Sequence, residues 1–596
     1  MSELKSYTIE KFLGVNKTST ETLLQLGEAA TMTNWIISDD YKLVKMFGYE
    51  HLFDTLGTHN INGQWHGSLN GNSHYVFACN GHIYEHNLTT HTNTDLGTVA
   101  DVNPTTFFVS NNTLYIMDGT NFFSWSGTGS IASVTGYIPT VYTASPPTGG
   151  GTMLESINYI NGAKIQKFSG DNSATVYQLL ELNINSVDSV TVGGVTKTVT
   201  TDYTVDLTNG TVTFIVKPPT GVNNVVITWT KTVAGDRAMI TNNRYYGGVY
   251  YARYWLFGNS NHLNTRFPSG VTMAGVSDPT YWPKYSDSDV GEYEITDIVT
   301  QYNKQLIFTN GDSEEASAWY SEEEDYVDGT TGAITALFPV YPMNSKVGNI
   351  AKGQTQIIMN NPFTVYKGIY QWVSTYVLNE KNVEWMSRRI QNDLDDLDLT
   401  TAITIDWNDK GQYWFCVGTK VCVYNYRIDA WYILELAHTP TCFCIVESEM
   451  YFGTTGGQIM KFDETVGTFD GTTIVASWEM GYTNFGIDWL TKFVKRLFIS
   501  ILPLTTTHVD IYVSTDKNAA YQLVDTVSYD LSSFETWDFS DFSFETNYSP
   551  QPFKAKLRAK KIDYFKLKIL NDGTDGASVL SITLPVRMGG EIKNRS

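Results

Sequence analysis

Gln412 to Glu435 reads QYWFCVGTKVCVYNYRIDAWYILE. Two apolar, aromatic and β-branched runs, Tyr413 to Val417 and Val421 to Tyr426, flank a Gly418-Thr419-Lys420 turn. A third run, Trp431 to Leu434, follows the Arg427-Ile428-Asp429-Ala430 turn. Short runs of this composition bounded by turn residues predict strands, here an antiparallel meander. The same order of strand, Asn- or Gly-built turn and aromatic-ended strand recurs along the chain. NSHYVFACNGHIYEHN from Asn72 and TTFFVSNNTLYIMDGTNFFSW from Thr105 follow it, as do the stretches beginning at Met239, Ile298, Thr355 and Thr441. Seven such units at irregular spacing predict an all-β fold built on a β-propeller of six to eight blades.

Composition supports strands over helices. Charged residues are 17% of the chain and aromatic residues 14%, a balance suited to pleated surfaces and poor in amphipathic helix. The best helix candidates are short, at Thr20 to Ala30 and Asn382 to Arg389. At 596 residues the chain exceeds what one core serves, so several structural units are expected.

The order of textures gives four of them. Residues 1–146 hold N-terminal strands and the first blades, and Asn34 to Ile37 with Leu43 to Phe47 are expected to complete the last blade, leaving no open sheet edge. The Pro- and Gly-rich stretch Thr143 to Gly151 marks a boundary. Beyond it, residues 147–232 carry short Val/Thr strands with Gly193-Gly194 and Asn209-Gly210 hairpin turns, and read as a small β module inserted between blades. Blade texture resumes over 233–477, and residues 478–596 read as a separate C-terminal β-sandwich.

The formal net charge is −22, from 40 Lys plus Arg against 62 Asp plus Glu. Such a surface repels nucleic acid, which argues against a tight DNA or RNA binder. A passage through which DNA slides benefits from the same repulsion. The first residues lack the basic and apolar regions of a secretion signal, and no apolar run reaches the roughly 20 residues of a membrane span. The five cysteines, Cys79, Cys416, Cys422, Cys442 and Cys444, are expected to be reduced core residues, with Cys416 and Cys422 facing each other across the Gly418 turn.

Catalytic motifs are missing: there is no Gly-x-Ser-x-Gly elbow, phosphate-binding loop, dinucleotide glycine pattern or His-Glu-x-x-His. No cofactor is called for and the chain reads as a non-enzyme. His82 and His86 share a strand face and are the one pair that could start a metal site, beside the plainer reading of a polar strand face. Ser514 to Tyr521 resembles the Asp box of sialidase-like propellers but has Asn518 for Gly and Tyr521 for Trp, and reads as a hairpin turn.

Two acidic stretches stand out, one holding Glu322, Glu323, Glu324 and Asp325, the other Asp393, Asp395, Asp396 and Asp398. They are candidates for a channel wall or a neighbour-facing surface, beside calcium binding and plain solvated loops. Lys554, Lys556, Arg558 and Lys560 alternate and so share one side of a strand, where they either guard an edge against aggregation or dock an acidic partner.

The opening TLLQLGEAATMTNW…YKLVKMFGYEHL and the ending SITLPVRMGGEIK resemble the tail nozzle and packaged-DNA stabilisation proteins of short-tailed bacteriophages. Lys45-Met46-Phe47-Gly48 holds the place of their Arg/Lys-x-x-Gly turn. The inserted module is similar to adaptor modules of phage tail fibres. The resemblance implies a structural virion protein of the tail, assembled in the host cytoplasm. It implies a homohexameric ring below the portal and adaptor proteins that extends the DNA channel, helps retain packaged DNA and carries fibres or spikes. Double-stranded DNA would pass transiently without specific binding, and no segment would span a membrane. The competing reading is a carbohydrate-binding or glycan-degrading propeller, for which 15 Trp and 37 Tyr offer stacking platforms.

Overall fold

The structure, a computed structural model, describes residues 4–258, 265–268, 278–284, 286–311, 317–327, 334–373, 382–502, 506–530 and 550–592. With 56% of the chain in strands and 4% in helices, the protein is all-β. Among the described residues no helix is long and apolar enough to cross a membrane.

Six four-stranded antiparallel meanders, and a seventh that lies within a six-stranded sheet, make up most of it. Six begin at Ile61, Thr106, Tyr245, Ile295, Gln356 and Ile403 and take their strands in sequence order, the fourth interrupted by the ribbon of Glu324–Val327 and Ile334–Leu337. Residues 312–316, within the unit expected from Ile298, lie outside the described residues. The seventh combines Pro440–Val446, Glu449–Thr454 and Ile459–Asp463 with Gly48–His51, whose register with the third of these pairs Tyr49 with Phe462. A strand from the start of the chain therefore finishes the last meander. It is not the strand expected: Trp35–Ile37 pairs with Leu43–Lys45, and Leu43–Lys45 pairs with Ser578–Glu591 instead.

Turn chemistry sets the meanders. Asn70-Gly71, Asn80-Gly81 and Asn111-Asn112 all have positive φ at both positions, the backbone of the two-residue hairpin turn that matches strand twist. The same conformation occurs at Glu447-Ser448 and Tyr251-Ala252, where neither residue favours it.

In six of the seven successive pairs of meanders the first strands are neighbours. Ile61–Leu69 lies beside Thr106–Ser110, which lies beside Tyr245–Tyr250, and that beside Ile295–Gln301. Gln356–Ile358 lies beside Ile403–Trp407, which lies beside Pro440–Val446, and this strand packs on Ile61–Leu69. Ile295–Gln301 contacts Asn361–Val365 of the fifth meander.

The remaining strands form two further bodies. Between the second and third meanders, a six-stranded and a three-stranded sheet cover 140–230. They enclose a core of their own that includes Phe168, Tyr177, Val212, Phe214, Ile227 and Trp229. The turn-rich 143–151 stretch falls inside the larger sheet, between Thr140–Ser145 and Thr152–Met153, because Thr140–Ser145 already pairs in parallel with Ala163–Gly170.

Two six-stranded sheets join the ends of the chain. In one, Ser578–Glu591 pairs with Leu4–Ile9, Leu43–Lys45 and Leu490–Ile501, and Gln551–Ile562 is the outer strand. In the other, Ala476–Met480 pairs with Glu28–Thr33 and Phe565–Asn571, and Thr506–Thr515 and Asn518–Asp530 follow. Inward residues of both sheets, among them Leu497, Ile499, Ile511 and Ile569, belong to one buried cluster that continues through Trp35 and Met46 to Trp414 and Phe462 of the late meanders. The helix expected over Thr20 to Ala30 is a single 3-10 turn, Glu21–Leu23, after which Glu28–Thr33 is drawn into this sheet. Val383–Trp385 is likewise a strand, followed by the 3-10 turn Met386–Ile390.

Candidate functional site

Gln551–Ile562 alternates cleanly between two environments. Ala555, Leu557 and Ala559 are buried in the core, while Lys554, Lys556, Arg558 and Lys560 are exposed. Small and aliphatic residues on one side and cations on the other fix which face turns inward. The strand pairs on one side with Leu490–Ile501, which sets Lys556 opposite Arg496, Lys554 opposite Phe498 and Lys560 opposite Phe493. Arg496 and Lys495 are exposed too, and the Arg496 guanidinium lies 5.7 Å from the Phe498 ring centroid. Among the described residues, none of the four cations of Gln551–Ile562 is in an ion pair. Lys556, Arg558 and Lys560 also line a groove of about 590 Å³ with Lys517, Leu523 and Val513. Like charges this close repel one another, so the face favours an anionic surface laid across it.

The two acidic stretches are separate from this face and differ from each other. Glu322 pairs with the buried Lys304 at 2.6 Å, and Tyr341 donates its hydroxyl to Glu324 Oε1 at 2.7 Å. Glu324 and Asp325 begin Glu324–Val327, every residue of which is exposed and which among the described residues pairs only with Ile334–Leu337. Tyr326 and Val327 are also exposed, so this two-stranded ribbon presents acidic and apolar groups together. Asp393 is internal: Lys17 Nζ donates to it at 2.7 Å, and Lys420 Nζ lies 3.8 Å away. Asp395 accepts from Gln391, and Asp398 caps a turn through the backbone N–H and hydroxyl of Thr400. Asp395, Asp396 and Asp398 are exposed.

The remaining candidates resolve into local structure. His82 lies 2.9 Å from Asp95 and His86 is 2.8 Å from Asn93, so the two rings engage different partners on the next strand. Among the described residues no group of three or more His, Cys, Asp or Glu is placed to hold a metal ion. All five cysteines are free. Cys416 is opposite Val421 and Cys422 opposite Phe415, one residue off the expected facing pair. Burial pushes the Cys422 thiol up to about 12 and Cys79 to about 11, which leaves both unreactive near neutral pH. Asp516 and Lys517 form the turn between Thr506–Thr515 and Asn518–Asp530, and Asp516 accepts from the backbone N–H of Asp563 and Tyr564.

One feature carried no sequence signal. A cavity of about 450 Å³ opens where the first strands of six meanders begin, lined by Gln64, Thr105, Thr106, Tyr245, Gln356 and Phe443 among others. These are common residue types in no motif, and they meet only because strands far apart in sequence converge.

No protein-family model matches the chain, and no curated protein does. Solved structures give distant likenesses. The computationally designed Ika8 protein is 10% identical, covers 69% of this chain and 99% of its own, and has a TM-score of 0.30. The extracellular domain of BT4673 from B. thetaiotaomicron is 10% identical over 95% of this chain and 99% of its own, with a TM-score of 0.17. The N-terminal domain of Nup159 is 10% identical over 78% and 97%, with a TM-score of 0.21.

Proposed function

We propose that the seven meanders are the blades of a propeller. The cyclic adjacency of their first strands supports this, as does completion of the last meander by Gly48–His51. On this reading the 140–230 body is an insertion between blades and the two six-stranded sheets are a β-sandwich built from both ends of the chain. Its role is structural and non-enzymatic: a subunit of a homohexameric nozzle ring in a bacteriophage tail. The ring sits below the portal and adaptor proteins, extends the DNA channel, helps retain packaged DNA and carries fibres or spikes.

The observation that carries the reading is charge segregation. A chain of net charge −22 gathers Lys554, Lys556, Arg558 and Lys560 on one exposed strand face without ion pairs among the described residues. Closed rings of identical chains need two different, complementary faces on each subunit. A basic face meeting an acidic neighbour meets that requirement and orients assembly. The acidic remainder repels phosphates, which lets duplex DNA move past without being held.

Electron microscopy of phage particles from the source culture, labelled with gold-tagged antibody against this chain, tests the assignment. Label at the neck or tail is the expected outcome. Label absent from every particle, with the protein free in the lysate, would overturn it.

A further inference from the structure

We infer, building on the reading of the basic face as a contact between copies of this chain, that what lies against it is the acidic ribbon of a second copy. Glu324–Val327 and Ile334–Leu337 of one subunit sit in the groove between Gln551–Ile562 and Asn518–Asp530 of the next. Exposure, charge and length each favour this pair of surfaces.

The ribbon lacks a cover. Successive side chains of a strand point to opposite faces, yet all four residues of Glu324–Val327 are exposed, so neither face of this strand is packed away. Tyr326, Val327 and, on the partner strand, Leu337 are apolar groups left in water. A two-stranded ribbon is marginally stable alone and gains by burying such groups against a further surface.

The groove offers one. Gln551–Ile562 and Asn518–Asp530 are the outermost strands of their two six-stranded sheets, and among the described residues neither pairs with a second strand. The groove of about 590 Å³ runs between them and includes the exposed Leu523. Open strand edges accept a strand from another chain, with alternate side chains directed to either wall.

Charge then selects the occupant. Lys556, Arg558 and Lys560 stand on one wall and Lys517 at the end of the other. Among the described residues Asp325 has no ion pair, and Glu324 accepts only the Tyr341 hydroxyl. These two carboxylates point to opposite faces of their strand, so each meets one cationic wall. Four residues of strand cover about 13 Å, the same length as the run from Lys556 to Lys560. The stretch from Asp393 to Asp398 fits less well, because Asp393 is paired with Lys17 and Asp395 and Asp398 hold local hydrogen bonds.

The test treats the full chain, mixed from unlabelled and isotope-labelled protein, with a carbodiimide that joins a carboxylate to an amine with loss of water. Peptides linking Glu324 or Asp325 of one copy to Lys517, Lys556 or Lys560 of another are expected. They should fade as ionic strength rises from about 0.05 M to about 0.5 M. Asp325→Lys and Lys556→Asp should each weaken self-association in sedimentation about tenfold or more, and the two changes in one chain should restore it. Groove lysines linked to carboxylates outside the ribbon of another copy, or a double variant that stays weak, would overturn the ribbon as occupant while leaving the basic face a subunit contact. No link between copies at these lysines would overturn both.

Discussion

Lys45 Nζ lies 2.7 Å from Asn571 Oδ1, a side-chain contact between residues 526 apart in sequence. The same ammonium donates to the carbonyls of Gly573 at 2.6 Å and Asp575 at 3.1 Å, so all three of its protons are used. Three residues later the chain enters the last meander as Gly48–His51. The short stretch from Lys45 to Gly48 thus fastens the terminal sheets to the seven-meander body.

Replacing Lys45 with Met keeps the aliphatic stem and deletes three charge-assisted hydrogen bonds, stranding buried acceptors. A loss of about 2–4 kcal/mol is expected in denaturant titration. Burial pushes the Lys45 ammonium down to about 8 from 10.5, with Asp575 and Asp572 pulling the other way. Between those values the unfolded chain holds a proton the folded chain lacks, so folded stability gains as pH rises through that interval. Wild type should therefore gain on Lys45→Met as pH rises from 8 to 10.5, and a constant difference would count against the assignment.

Gly48 is required for a different reason. A Cβ there would clash with the Thr468 carbonyl oxygen, a contact that only displacement of the strand relieves. Gly48→Ala should cost on the order of 3 kcal/mol or more and lower the melting midpoint, because the last meander loses the register of its closing strand. An unchanged midpoint would show that the closing strand is not held as described.

The Glu447-Ser448 turn offers the opposite outcome. Both residues hold φ near +50° and +73° and are exposed, a conformation that costs an ordinary L-residue roughly 1–2 kcal/mol. Glu447→Asn with Ser448→Gly installs the preferred pair for this turn. A gain of about 1 kcal/mol or more is expected in thermal and denaturant melts.

Reversing the charges at Lys554, Lys556, Arg558 and Lys560 to Glu leaves the buried Ala555, Leu557 and Ala559 untouched. Circular dichroism and the melting midpoint should stay close to wild type, while incorporation into particles on complementation falls steeply. Particles that incorporate the variant normally would sink the docking role of this face.

Much of the fold was legible because its signals are local. Asn70-Gly71 and Asn80-Gly81 announce their turns, and the alternation from Lys554 to Lys560 states which side of the strand faces water. Pairing partners far along the chain leave no such mark. The alternation in Trp35–Ile37 and Leu43–Lys45 says that they are strands, but nothing in it distinguishes Ser578–Glu591 from the last meander as their neighbour. The helical pattern near Thr20 to Ala30 yielded to tertiary pairing of the kind that overrides propensity. Asp393 looked like one more surface carboxylate of an acidic run, and its burial against Lys17 follows from a contact 376 residues away. Thr105, Thr106 and Gln356 carry no motif at all, and only the convergence of first strands gives them a shared wall.

The sharing of strands between the two ends has a consequence for how the chain is made. Leu4–Ile9, Glu28–Thr33, Leu43–Lys45 and Gly48–His51 leave the ribosome long before their partners at 459–463, 476–480 and 578–591. These early strands must wait for those partners through most of translation, exposing edges that invite association with other nascent chains. The meanders from Ile61 to Trp385 can close as they appear, whereas the seventh meander waits for residues 440–463 and the terminal sheets for residues 476–591. Completion is therefore late, and a chain cut short anywhere before Ser578 would lack the strand on which its own beginning depends.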